Sequence, residues 1–347
     1  MVQSDIKNRQ LILARRPQGE PDGDTLRLVE GPLPTASAGQ MLLRTEYLSL
    51  DPYMRGRMSD APSYAAPVGI GEVMVGATVA RVVTSDVAGF GKDDWVLSSN
   101  GWQDYALSDG TGVANLGQVP EHPSWALGIL GMPGFTAWAG LKQIGAPIRG
   151  ETIVVAAATG PVGATVGQIG KLSDCRVVGI AGGPEKCTYA VNELGFDACI
   201  DHKAPDFAAQ LASACPDGVD IYFENVGGKV LDAIIPLLNP HARVPVCGLI
   251  SHYNATEPPA GPDRMNWLMG QILRKKIRMQ GFIIFDTFGH LYPEFAKEMG
   301  EWVANGRIKY KEEIIDGLEN APEAFAGLLA GKNFGKRVIR VAAGRKA

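Results

Sequence analysis

Residues 152–172 read T-I-V-V-A-A-A-T-G-P-V-G-A-T-V-G-Q-I-G-K-L. The opening run, Thr152 to Ala158, is rich in Val and Ile and apolar throughout, the pattern of a strand buried on both faces of a parallel sheet. The turn A-A-T-G-P-V-G, Ala157 to Gly163, follows it, and Val166, Ile169 and Leu172 then recur at helical spacing. A glycine turn between a buried strand and a helix lets backbone N–H groups and the positive helix end approach a pyrophosphate. On its own, G-x-x-G is a weak signal in a glycine-rich chain, where an ordinary turn is the simpler reading. Five further apolar runs strengthen it: Arg176 to Ala181, Asp197 to Ile200, Val219 to Phe223, Arg243 to Leu249 and Ile277 to Ile284. Helix-length segments separate the early ones, so an α/β doubly wound parallel-sheet domain is expected. Gly160, Pro161, Val162 and Gly163 then lie at the phosphates of a dinucleotide, and Gly167 lets helix and strand pack closely.

The exit of the second strand bears on which dinucleotide. R-V-V-G-I-A runs into Gly182-Gly183-Pro184-Glu185-Lys186, with no acid at the strand end to bind a ribose 2′-hydroxyl. The Lys186 ammonium can pair with a 2′-phosphate, which favours NADP over NAD; the plainer alternative is a solvated lysine in a first helical turn.

Working outward, 347 residues suggest two domains of about 150 each. Before about residue 120, short apolar runs alternate with Gly, Pro and Asp clusters: Met41 to Leu50, Val73 to Val83, Trp95 to Ser98 and Trp102 to Leu107. That is the texture of an all-β part. After Glu301 short strands return around Lys309 to Ile314 and Lys336 to Val341, flanking a helix from Asn320 to Ala330, and this tail is expected to rejoin the first domain. A hydrophobic content of 46% and 20% charged residues suit a globular chain. Lys plus Arg number 33 against 37 Asp plus Glu, a net charge of −4, which argues against nucleic acid as a partner. The uncharged stretches His122 to Leu141 and Thr152 to Gly170 are interrupted by Gly and Pro, so both read as core and not as membrane spans. With no apolar run in Met1 to Gln10, a cytoplasmic location is expected. Five cysteines, an odd number without a C-x-x-C pair, read as free thiols.

The strings L-S-L-D-P-Y-M-R-G (Leu48 to Gly56), E-N-V-G-G (Glu224 to Gly228), C-G-L-I-S-H-Y-N (Cys247 to Asn254) and G-K-N-F-G-K (Gly331 to Lys336) narrow the reading. With the A-x-x-G-x-x-G turn, the chain resembles the medium-chain dehydrogenase/reductase superfamily. Within it, the likeness is to the leukotriene B4 dehydrogenase, prostaglandin reductase and alkenal double-bond reductase branch, including its bacterial curcumin/dihydrocurcumin reductases. The resemblance runs from about residue 8 to residue 341. It implies a GroES-like β-barrel domain over residues 1–130, a Rossmann NADP-binding domain over 131–305, and a return to the first domain over 306–347. It also implies an active site in the cleft between domains, a homodimer, and NADPH-dependent reduction of the carbon–carbon double bond of small, apolar α,β-unsaturated ketones and aldehydes. Cofactor contacts carried over by matching are Gly160 to Gly163, Lys186, Asn225, Cys247, Gly248, Leu249, Ile250, Ser251, Tyr253, Phe282, Ile283, Ile284 and Asn333. His202 stands where relatives carry a Tyr near the 2′-phosphate; it donates a hydrogen bond but stacks less.

Zinc is not expected. No Cys precedes Cys175, and His122 is the sole histidine of the first domain, whereas catalytic zinc takes three protein ligands. Hydride addition to a conjugated double bond then leaves charge on the carbonyl oxygen, and a Tyr O–H is the expected donor. The resemblance raises Tyr64 first, Tyr253 second, and Tyr53 with them, above ordinary half-buried tyrosines. For Arg55 and Arg57 recognition of an acidic substrate stands beside a solvated surface role, and the surface role is the stronger reading. Met58, Met132, Met265 and Met269 read as pocket lining or helix packing, and Pro258 to Pro262 as a stiff loop. A quinone reductase and a cofactor-binding protein with a structural or RNA-associated role are the competing readings; the net charge of −4 weighs against the latter.

Overall fold

The computed structural model describes residues 6–258 and 261–341. Pro259 and Ala260 of the proline-rich loop, and the first five and last six residues, lie outside the described residues. The chain divides into two compact units, one from Met1–Gly128 with Glu312–Ala347 and one from Ile129–Lys311.

The first unit begins with an antiparallel pair, β1 (Lys7–Leu13) and β2 (Leu26–Pro32). Its larger sheet takes β3 (Met41–Ser49), β4 (Thr78–Ser85), β5 (Trp95–Ser98), β6 (Tyr105–Ser108) and β7 (Ala114–Gly117). The strand expected from Val73 starts only at Thr78. A side chain on Gly76 would lie about 3 Å from Leu48, Met54 and Trp102, so the chain bends there around the core. Met74 instead pairs with Leu11 and Trp102 through N–H···O bonds of 2.9 and 2.8 Å.

The second unit holds β8 (Thr152–Ala156), β9 (Arg176–Ala181), β10 (Ala198–Asp201), β11 (Val219–Phe223), β12 (Leu238–Val246) and β13 (Arg278–Gly281). All neighbours are parallel and the order is β10-β9-β8-β11-β12-β13. The sheet turns direction between β8 and β11, which is the switch point of a doubly wound fold. All five residues of β8 are buried, in line with a strand covered on both faces. Strands β12 and β13 differ from expectation at their ends. β12 begins five residues early, through Asn239, Pro240 and His241, which carry no apolar signal, and β12 and β13 both stop short because residues 247–249 and 282–284 leave the sheet. Among the described residues no helix is long and apolar enough to cross a membrane.

The tail completes the first unit's sheet: β14 (Glu312–Asp316) runs parallel to β15 (Lys336–Arg340), which pairs antiparallel with β3. The helix between them, Ala321–Leu329, presses Phe325 edge-on against Trp102 at 5.7 Å in a core with Leu11, Leu48 and Met54. Beside this core, Lys336 places Nζ 2.6 Å from Asp51 Oδ1 and donates also to Leu50 O at 2.9 Å, with the two side chains 1% and 6% exposed. Removing one member of a buried ion pair leaves the other charge uncompensated, at about 3–5 kcal/mol. Lys336→Ala is expected to destabilise this unit by that amount in urea denaturation; a loss under about 1 kcal/mol would show that Asp51 finds other compensation.

Candidate active site

The turn after β8 is built around one carbonyl. Ala157 adopts a left-handed backbone, φ 53°, uncommon for a residue with a side chain. Its oxygen accepts from Gly160 N at 2.9 Å, and a Cβ on Gly163 would stand 2.3 Å from that same oxygen. Only glycine fits at 163. The helix Pro161–Leu172 starts immediately, with Pro161 in its first turn and no side-chain cap from Gly160. Its first amides and positive end are therefore open to an anion. Close packing needs two glycines. Gly167, expected to admit a strand, faces the Phe196 ring, whose Cζ would be 1.9 Å from an added Cβ; Gly170 lies on Ile153 of β8 and Val177 of β9.

At the exit of β9, Gly183 has φ 101° and donates its N–H to Asp201 Oδ1 at 2.9 Å. Lys203 N donates to the same oxygen, and these backbone bonds hold the Asp201 carboxyl below its ordinary value. Asp201 thus braces the turn that carries Lys186. His202 sits against it: a Cβ on Gly182 would be 3.0 Å from His202 Nε2 and 3.4 Å from Lys203 Cε. Burial first, then Lys229, keeps the imidazole below its ordinary value, against the pull of Asp201. The corner is therefore cationic through Lys203 and Lys229 as well as Lys186. Sequence reading missed both. Lys203 is adjacent to His202, a usable signal, but Lys229 comes from the start of a distant helix, Gly228–Ile234.

At the exit of β11, Glu224 is fully buried. Its Oε1 accepts from Val226 N at 2.6 Å, Gly227 N at 2.9 Å and Tyr222 Oη–H at 3.0 Å, while burial raises the carboxyl above its ordinary value. Asn225 Nδ2 donates to Ala156 O at 2.8 Å, tying the β8 and β11 exits together at the switch point. The segment after β12 lies along this loop: Cys247 and Gly248 N donate to Glu224 O, Ile250 N to Asn225 O, and Ser251 N and Oγ to Val226 O. The Tyr253 hydroxyl folds back over the same segment and accepts from Leu249 N at 3.5 Å. Burial pushes the Cys247 thiol up to about 12. After β13, Phe282 packs edge-on against Phe223 at 6.4 Å and Ile284 is buried, while Ile283 is exposed.

In a parallel sheet all strand exits lie along one edge. Gly160 to Gly163, Lys186, His202, Asn225, Cys247 to Tyr253 and Phe282 to Ile284 each follow a strand of the second unit, so the structure gathers them there. Asn333, Tyr53 and Tyr64 belong to the first unit. Asn333 Nδ2 donates to Gly335 O at 3.0 Å in the loop before β15. Tyr53 follows β3 and packs against the core; burial, then Asp51, pushes its phenol above the ordinary value, with Tyr64 in electrostatic reach. Tyr64 is 63% exposed on a loop held by Arg57 Nε donating to Ala66 O at 2.6 Å. Arg55 corrects the surface reading: it is 7% exposed and its guanidinium donates to Gly19 O. Met58 is core, whereas Met265 and Met269 are exposed.

A parallel sheet in this order, with a glycine turn at its switch point, defines a Rossmann-type dinucleotide-binding unit. Family profiles described as "N-terminal domain of oxidoreductase" and "Zinc-binding dehydrogenase" match residues 9–116 and 161–305. The chain is 63% identical over 342 residues to the NADPH-dependent curcumin reductase of Escherichia coli (strain K12), covering 99% of both chains. It is 38% identical to the NADP(+)-dependent 2-alkenal reductase of Nicotiana tabacum, covering 97% of this chain and 98% of the other. Among solved structures, CurA from Vibrio vulnificus in complex with NADPH superposes with a TM-score of 0.94 at 63% identity, over 96% of this chain and 99% of that one. The chain belongs to the medium-chain dehydrogenase/reductase superfamily, in the branch that includes these reductases and prostaglandin reductase 1. The zinc of the profile's description has no matching donor set: among the described residues no three His, Cys, Asp or Glu side chains converge to hold a metal.

The Gly163 geometry generates a direct expectation. Gly163→Ala forces the Ala157 carbonyl away and should weaken dinucleotide binding at least about tenfold, or about 1.4 kcal/mol, in a fluorescence titration. An unchanged dissociation constant would mean that the turn does not seat the ligand.

Proposed function

We propose that this protein is an NADPH-dependent reductase of the carbon–carbon double bond of α,β-unsaturated ketones and aldehydes, of the curcumin-like enone and alkenal class. The observation that carries this is 63% identity, over 99% of both chains, to a curcumin reductase whose name specifies NADPH. The strand-exit edge supports it: open helix amides after Gly160 suit the diphosphate, and the Lys186, Lys203 and Lys229 corner suits a 2′-phosphate. Bound there, NADPH supplies a hydride to the substrate β-carbon. The protein's part is to hold the cofactor, exclude water and place a hydrogen-bond donor at the carbonyl oxygen where negative charge develops. Tyr64 is our leading donor, Tyr253 the second and Tyr53 the third. Tyr53 stays a neutral phenol well above physiological pH because burial disfavours its anion.

We further assign the protein to the cytoplasm, where reduced thiols persist; all five cysteines are free. A homodimer is proposed through the exposed edge of the second unit, where β13 is the last strand and helix Met265–Lys275 leaves Met265, Trp267, Met269 and Leu273 exposed.

Purified enzyme should oxidise NADPH in the presence of enones and alkenals and release the saturated carbonyl compound, identified by mass, with NADH far poorer. Turnover of quinones alone would assign it instead to quinone reduction. Lys186→Ala should raise the KM for NADPH about tenfold and leave that for NADH nearly unchanged, since only the 2′-phosphate contact is lost; equal effects on both would contradict that role. Tyr64→Phe should lower kcat by about 10²-fold with NADPH affinity intact, and unaltered turnover would remove Tyr64 from the mechanism.

A further inference from the structure

At the edge where the parallel strands end, one buried acid stands without a cation. Glu224 follows β11 and is 0% exposed. Its Oε1 accepts from Val226 N, Gly227 N and Tyr222 Oη–H, whereas Oε2 is enclosed and has no hydrogen-bond partner among the described residues. A proton on Oε2 would find no acceptor there, and three donors converging on Oε1 favour the ionised form. Among the described residues no Lys, Arg or His forms an ion pair with it. Asp51 and Asp104, buried in the first unit, differ: Lys336 lies 2.6 Å from one and Arg9 3.0 Å from the other. Burying an isolated charge costs free energy, so Glu224 calls for a positive charge that is not part of the chain.

Strand order says which half of a dinucleotide comes near it. The turn after β8 takes the diphosphate and the exit of β9 takes the ribose 2′ position, which puts the adenosine half on the β9 and β10 side. The nicotinamide half then crosses to the β11 and β12 side. Glu224 anchors both loops there: its carboxyl holds Val226 and Gly227, and its backbone oxygen accepts from Cys247 N at 2.9 Å and Gly248 N at 3.2 Å. In the proposed reaction C4 of the nicotinamide gives up a hydride with its bonding electron pair, and the ring passes from neutral dihydropyridine to a pyridinium of charge +1. The substrate β-carbon gains that C–H bond, the carbonyl oxygen takes the negative charge, and one proton completes the saturated carbonyl compound.

We propose that the Glu224 carboxylate is the counter-charge for the oxidised nicotinamide ring: it favours the pyridinium over the dihydropyridine and makes bound NADPH a stronger hydride donor. This rests on the reading of the strand-exit edge as the NADPH site. The interaction acts through space, and burial leaves it weakly screened by water. Glu224 also braces the loop, but a brace supports both redox forms alike, whereas a charge separates them.

The test titrates the full chain with NADPH and with NADP+ by calorimetry and reads the ratio of the two dissociation constants. Glu224→Gln keeps the side-chain shape and an oxygen for the loop amides but removes the charge. It is expected to weaken NADP+ binding at least about fivefold more than NADPH binding, and to slow single-turnover hydride transfer. Glu224→Asp and Glu224→Asn repeat the comparison one methylene shorter, so the charge is tested at a second geometry even if Glu224→Gln does not fold. The Asp variant should keep the ratio within about twofold of the unmodified protein, and the Asn variant should lose it. Equal weakening of both redox forms in the neutral variants would leave Glu224 as a brace alone and overturn the proposal. Loss of the ratio in the charged Asp variant would overturn it as well. If the unmodified chain binds neither form, the functional reading fails and takes the proposal with it; if it binds both and the ratio ignores the charge, the proposal alone fails.

Discussion

The carbonyl of Ala157 sets the terms for the nucleotide-binding unit. Turned by a positive φ, it accepts from Gly160 and occupies the space where a side chain on residue 163 would begin. That single constraint lets the chain leave a buried strand and enter a helix within four residues, with amide donors pointing out of the turn and no side chain to cover them. The sheet order then decides what else reaches this turn. Because β8 is central and the order reverses beside it, the exits of β9 and β10 come from one side and those of β11 and β12 from the other.

The two sides are stabilised differently. On the β9 and β10 side a carboxylate braces the backbone: Asp201 receives two N–H bonds and keeps the Gly183 turn in a conformation that favours glycine. On the β11 side the brace is buried. Glu224 gathers three donors on one oxygen, and its own backbone carbonyl receives Cys247 and Gly248. Desolvating a carboxyl is costly unless it is hydrogen-bonded, so this loop has strong reason to hold one shape. The segments that follow these strands are thus fixed by polar groups on the strand exits themselves.

Much of this was legible in the chain. Apolar runs pointed to all six strands of the parallel sheet, most plainly to β8, where burial on both faces writes an apolar run; β10 and β13 are half-buried or exposed and carry a weaker signal. The early part of β12 escaped notice since Leu238 to Ala242 include Asn, Pro and His, and its ladder to β11 shifts register there. Arg55 was misjudged because nothing local shows that carbonyls of residues 17–19 surround its guanidinium. The place of Lys229 beside His202 depends on long-range packing that no periodicity encodes. The tyrosines came forward only through the resemblance, since a lone Tyr has no spacing signature.

The central claim is that the glycine-opened turn and its lysine corner together select a phosphorylated dinucleotide. Calorimetric titration of the purified chain with NADPH and with NADH, under identical salt, tests it most directly. One site per chain is expected, with NADPH bound at least about tenfold more tightly, a difference of about 1.4 kcal/mol. Equal affinities would contradict the role of the corner, and the absence of heat with either nucleotide would contradict the account of the turn itself.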